Sequence, residues 1–426
     1  IFFRPPFLCT MWLCPSRKPA AKTPANQQAA LLKQLLAEYR LQRLQGTNLE
    51  RMTISSRHHS WLQSTYGVDM AIVGGTLGVW QQTTMRASGP DPSLPDGVSY
   101  STPSDLFRSV TPVLFARDNG EHIAAHFSDV NQGALGNCWL MAAIAAVARY
   151  GVARDCITAA SASEVSVRLY QCDGPHSTFA TPFTQVVSTQ IPTQDGRRPC
   201  YVHSDSVGEY WPCMLEKAVA AAHYRTRSGE NGYDAQAGGI CGIGMGQLLG
   251  GFPGVAYGAN LSAADLFTAW DYLMAQGITV TCAWNPVSGG PSGTNGEPSA
   301  ANGLVSSHAY TVIALLNVGG HKLARFRNPW GNQVAGCARG QSRNGAGEWT
   351  GTWSDCDTAT WDANPEVRDA AQFQGSRRDG CFWMEFADIA ANLSNGDYAF
   401  FIPASSALRQ RDLRPVPGTT SGGGGG

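Results

Sequence analysis

Nine consecutive residues, 139–147 (WLMAAIAAV), carry no charge and are rich in alanine and leucine. A run of strong helix formers that is apolar on every side is stable only as a buried helix. That one element dictates a core built around it, and it also places the residue that opens it. Gly133 and Gly136 permit a tight turn just upstream, and Asn137 is an acceptable cap. Cys138 therefore falls at the helix N-terminus, where unpaired backbone N–H groups and the helix dipole favour an anion, here a thiolate. Such positions bring a cysteine pKa down to roughly 3.5–7.5, above all beside a protonated histidine. Alone, Cys138 reads more simply as a small core residue. Gln132, six residues earlier, supplies an amide that with the Cys138 N–H would form an oxyanion hole. By itself it reads as a surface glutamine.

A second segment brings the remaining chemistry. Residues 308–317 and 322–328 are strand-like and flank Gly319-Gly320, which predicts a β-hairpin. His308 opens the first strand and Asn328 ends the second, so pairing brings a base and its orienting residue together. A two-residue loop alone would set Asn328 opposite residue 311, on the wrong face. A three- or five-residue loop, or a bulge, is needed; the three-residue loop is the expected geometry and sets Asn328 across from Tyr310. Trp330 would shield the His308–Asn328 hydrogen bond from water. The plainer readings are a capping histidine, a turn asparagine before Pro329 and a core tryptophan.

Around these segments the chain of 426 residues is long enough for more than one folded unit. Residues 1–104 are expected to be an N-terminal extension. Within it, Leu32, Leu35, Leu36 and Tyr39 recur at helical spacing among basic residues, and residues 86–104 look like a linker. The sharper reading of that helix is a membrane-surface or protein partner; the plainer one is packing on its own chain. Residues 105–240 and 241–403 are expected to form two lobes, with the glycines of 238–251 as a hinge, and residues 404–426 a glycine-rich tail. Nine Lys/Arg against two acids mark residues 1–60, but a net charge of −1 gives no general case for nucleic acid. No apolar run reaches the ~18 residues of a bilayer span. Twelve cysteines without a CxxC pair read as reduced thiols in a cytoplasmic setting.

The three motifs together resemble the calpain family. QGALGNCWL (Gln132, Cys138) is similar to its nucleophile motif, GLVSSHAYTV to its histidine motif and RNPWG to its asparagine motif. IPTQDG, YVHSDSVGEYWPCMLEKA, EWTGTWSD and DGCFWMEFADI are similar to further segments of the protease core, in the family's order from about 129 to 402. The resemblance implies an α+β, papain-like two-lobed cysteine peptidase core. Its helical first lobe would carry the nucleophile and its β-rich second lobe His308 and Asn328. It also implies endopeptidase action on protein or peptide substrates inside cells, with calcium aligning the lobes. For calcium in the second lobe, Glu348, Asp355 and Asp379 match acidic positions of the family, whereas Cys381 stands where an acid is expected. In the first lobe, Thr184–Gln185 offers no carboxylate. Asn137 replaces the usual aspartate, and residues 333–347 look inserted. Two rival functions share these features: a catalytically silent scaffold, and a thiol acyltransferase or deamidase.

Overall fold

The computed structural model describes residues between 91 and 403, apart from 117–124, 150–152, 174–177, 223–231, 240, 257–261, 276–278, 285–301, 307, 332–346 and 376–378. The basic N-terminal helix, the polar loop after residue 284, most of the inserted segment and the glycine-rich tail lie outside the described residues.

The apolar run does form a buried helix, α1 (Cys138–Arg149), with every residue from Cys138 to Ala148 shielded from solvent. Around it pack α2 (Trp211–Ala222) and α3 (Cys241–Leu249), while α4 (Ala263–Ala275) belongs to the second core. A nine-stranded antiparallel sheet runs through both lobes. Its first-lobe end is β2 (Ile157–Ala160), β3 (Glu164–Asp173) and β4 (Thr178–Ser188). The rest comprises β6 (Gly251–Ala256), β7 (Thr279–Trp284), β8 (Ala309–Val318), β9 (His321–Arg327), β10 (Cys381–Glu385) and β11 (Leu393–Pro403). The strand order is β10-β9-β8-β7-β11-β6-β4-β3-β2. A small pair, β1 (Ser99–Ser101) with β5 (Ile191–Thr193), lies apart. The result is a mixed α+β fold with one core gathered on α1 and a second, aromatic core of Trp270, Trp284, Phe326 and Phe382.

Four expectations are corrected. The glycine-rich stretch 238–251 is not a hinge throughout: residues 241–249 are helical, and Cys241, Ile243, Met245 and Leu248 join the core of α1. Gly244 is small because a β-carbon there would lie 2.8 Å from the Ala143 methyl, so the glycines let two helices approach closely. Residues 91–104 are not a free linker either. β1 pairs with β5, and Asp91 accepts a hydrogen bond from Lys217 Nζ at 2.6 Å. Lys217 is buried, and its ammonium also meets Ser188 Oγ, Ser188 O and Gln190 O. Burial lowers its pKa to about 8, and the Asp91 carboxylate works against that shift. Asn137 begins α1 with its carbonyl, which accepts from Met141 N at 3.1 Å, but its side chain does not cap. Finally, the cysteines are not all reduced: seven described ones are in no disulfide, whereas Cys356 is disulfide-bonded.

Candidate active site

The hairpin of β8 and β9 solves its register problem differently from the expected loop. Gly319 and Gly320 form a two-residue turn with φ of +61° and +82°, the signature of a type I′ hairpin. Val312 pairs with Phe326 and Ala314 with Arg325, so Ile313 is an extra, bulged residue. Beyond the bulge Thr311 pairs with Arg327, which sets Asn328 at the level of Tyr310. The Ile313 carbonyl left over by the bulge accepts from Arg149 Nε at 2.6 Å, at the far end of α1.

His308 and Asn328 meet in this geometry. His308 Nε2 and Asn328 Oδ1 are 2.7 Å apart, and both residues are fully buried. The amide orientation is fixed by its other partners: Nδ2 donates to Gly347 O at 2.8 Å, and Oδ1 accepts from Trp330 N at 2.9 Å. Since Oδ1 can only accept, Nε2 carries the hydrogen, and Nδ1 is then the basic nitrogen. The Trp330 ring lies 4.8 Å from the His308 ring and is itself buried. Tyr310 meets the imidazole edge-on at 5.2 Å.

Cys138 reaches the same end of the molecule through the docking of α1 on β8. Thr311 Oγ1 donates to Ala142 O, one turn into the helix, and Arg149 in the last turn reaches Ile313. Helix and strand therefore run in the same sense, start beside start, and Ala309 and Ile313 share the buried cluster of Cys138. Gln132 is buried just upstream; its N–H donates to Pro329 O at 2.7 Å and its Nε2 to Leu135 O at 2.7 Å.

Behind the cysteine lies a network that no local motif announced. Asn137 Nδ2 donates at 2.8 Å to both Glu216 Oε1 and Gln236 Oε1, and Val202 N donates to Glu216 Oε2. Burial pushes the Glu216 carboxyl up to about 7, against the pull of these donors. From its ordinary value of 4.5 up to that pH the folded chain keeps a proton that the unfolded chain has lost. The associated stability is present in full below the unfolded pKa and is lost as pH rises through 7. Glu216→Gln is expected to remove this dependence. Urea midpoints of the two proteins at pH 5 and pH 8 should show their stability gap shifting in favour of the variant at pH 8, by at most about 3 kcal/mol. An unchanged gap would refute the assignment.

The acids proposed for calcium are placed as follows. Glu348 is buried and accepts from Gly380 N at 3.0 Å, Asp379 accepts from Cys381 N at 2.8 Å, and Asp355 is also buried. Arg325 lies 3.9 Å from Asp379, and burial keeps the Cys381 thiol protonated. Among the described residues no three His, Cys, Asp or Glu side chains form a group able to hold a metal ion. A neutral thiol is a poor ligand for a hard cation. Among the described residues, then, Glu348, Asp355 and Asp379 do not gather into a calcium cage. In the first lobe Thr184 is exposed and Gln185 is a buried amide. Besides Glu216, the buried acids there are Asp129 and Glu209, and repulsion from Glu209 adds to the burial that raises Asp129 to about 7. Thr184–Gln185 thus contributes no carboxylate, and Asp129 and Glu209 stand elsewhere in the first lobe. The only signal was an aspartate nine residues before Cys138 and a glutamate heading α2.

A cysteine at a helix start and a buried histidine–asparagine pair are the elements that thiol hydrolases use. Comparison with known proteins agrees: the profile of the calpain family cysteine proteases matches residues 90–397, and the chain belongs to that family. It is 29% identical over 326 residues to the calpain-2 catalytic subunit of Bos taurus, covering 72% of this chain and 39% of that protein. Against the calpain-1 catalytic subunit of Sus scrofa it is 28% identical over 345 residues, covering 78% and 42%. Against the calpain-type cysteine protease DEK1 of Arabidopsis thaliana it is 27% identical over 306 residues, covering 69% and 12%. The chain thus spans less than half the length of these relatives. No described helix is long and apolar enough to cross a membrane.

Proposed function

We propose that this chain is a cysteine endopeptidase that cleaves protein substrates through Cys138, His308 and Asn328. The observation that carries the reading is the buried 2.7 Å contact of His308 Nε2 with Asn328 Oδ1, which leaves Nδ1 to act as base at the end of β8 where α1 begins. In this reading His308 Nδ1 takes the Cys138 thiol proton. The Sγ forms a bond to the scissile carbonyl carbon, and the oxygen takes up the electron pair, held by the Cys138 N–H and the Gln132 amide. Collapse breaks the C–N bond, and the amine leaves with the proton from His308. Water then attacks the thioester, gives its proton to His308, and the acid product leaves as the Cys138 thiolate returns. Trp330 keeps water from the His308–Asn328 hydrogen bond throughout.

Calcium enters this reading through the family and not through the geometry, with Glu348, Asp355 and Asp379 as the acids offered for it. The test is cleavage of unfolded casein by the purified chain in millimolar calcium and in chelator, beside Cys138→Ala. Cleavage that needs Cys138 is expected. Cleavage in calcium alone would assign an ion to the protein, and equal cleavage in chelator would remove calcium from the reading. No cleavage in either medium, with Cys138 no more reactive to iodoacetamide than the other thiols, would replace the peptidase by a silent scaffold.

A further inference from the structure

Arg327 ends β9 in the second lobe and is buried to 1% exposure, yet its guanidinium is spent on the first lobe. Nη1 donates to Val130 O at 2.8 Å, and Nη2 donates to Ser128 O and to Asn131 Oδ1, each at 3.0 Å. A longer contact of 3.5 Å runs from Nη1 to its neighbour Asn328 O. The acceptors are neutral oxygens of residues 128–131, and that segment leads directly into Gln132. Two residues after Arg327, Pro329 O takes the Gln132 N–H. Asn131 is further seated against Gly331 and tied to Asp205 Oδ1 at 3.0 Å. The stretch 327–331 therefore grips both halves of the site. Its Asn328 and Trp330 hold His308, while its Arg327, Pro329 and Gly331 hold the backbone that carries Gln132.

We propose that Arg327 is a positioning residue that fixes the Gln132 amide relative to His308, so that the oxyanion hole is assembled across the lobe boundary from the second lobe. The inference rests on the proteolytic reading above and adds to it the residue that keeps the two lobes in working register. The chemistry requires an arginine. A planar fork reaches three separated oxygens at once, whereas a lysine ammonium is a single compact point charge that cannot span them. An oxyanion donor displaced by about 1 Å loses most of its effect on the transition state while substrate binding is little changed.

The test compares the unsubstituted chain with Arg327→Lys in saturating calcium, reading kcat and KM for a peptide substrate, the rate of Cys138 alkylation by iodoacetamide, and the melting temperature. Alkylation displaces iodide by the thiolate and develops no oxyanion, so it reports on Cys138 and His308 but not on Gln132. The expected result is a kcat lower by roughly 10- to 100-fold, with KM and the alkylation rate each within about twofold. Combining Arg327→Lys with Gln132→Ala should cost little more than Gln132→Ala alone. Unchanged kcat with a lower melting temperature would make Arg327 merely structural and overturn the proposal. A parallel fall in alkylation would also overturn it, because the residue would then be aligning the nucleophile itself. Should Arg327→Lys not fold, Asn131→Ser removes one of the three acceptors, and the same split between kcat and alkylation is expected in smaller measure. An unsubstituted chain that cleaves nothing overturns the proteolytic reading and this inference together, whereas full activity of the variants overturns this inference alone.

Discussion

Cys138→Ala is expected to lower casein turnover by about 10⁴-fold or more, His308→Ala by about as much, and the double variant by no more than either alone. The reason lies in the way the site is built. Cys138 opens α1, and His308 is held to Asn328 at the matching end of β8, so in the proposed mechanism the thiol and the imidazole act as one device. Once the thiol is gone there is no proton for His308 to take, and without the imidazole the thiol has no base. Initial rates of the three variants beside the parent decide the matter. Losses that multiply in the double variant would show that the two residues act separately. More than a tenth of the activity surviving in either single variant would remove it from the mechanism.

The largest effect on stability is expected from Gly331→Ala. Gly331 has φ of +56°, and a β-carbon there would lie only 1.5 Å from Asn131 Oδ1. Asn131 cannot step aside cheaply, because that oxygen accepts from Arg327 and its amide nitrogen donates to Asp205. The left-handed backbone adds about 1–2 kcal/mol of strain, and a displaced buried acceptor adds about 1–3. A loss of about 2–5 kcal/mol is a large share of an ordinary domain's stability. Gly136→Ala is the control, since nothing lies within 4 Å of a β-carbon at that position. Thermal melts should show the first variant lower by several degrees at least, or not folded, and the second within about 0.5 kcal/mol of the parent. Equal melts would mean that the seat of Asn131 on Gly331 carries no weight.

What could be read in advance was local. An uninterrupted apolar run dictates a buried helix wherever it docks, so Cys138 at its head was legible, and strand pattern around Gly-Gly gave the hairpin of His308 and Asn328. What escaped depends on partners far away in the chain. The register of the hairpin is set by a bulge at Ile313 whose carbonyl is satisfied by Arg149, 164 residues earlier. Residues 91–104 have a linker's composition, yet Asp91 is held by an ammonium 126 residues later. Asn137 looked like a cap because caps are local, while its side chain answers Glu216 and Gln236. The glycines of 241–249 are turn formers in isolation and spacers once Ala143 lies across from them. Asp129 and Glu209 are ordinary surface acids until the fold buries both.

The bulge at Ile313 also bears on how such chains can diverge. Adding one residue to the Gly319-Gly320 turn, or deleting Ile313, would turn Asn328 to the opposite face of the sheet. Drift in the length of this hairpin is therefore constrained by parity. A lineage can trade a two-residue turn with a bulge for a three-residue turn without one, but only if both changes arrive together, and an intermediate that carries one of them loses the partner of its histidine.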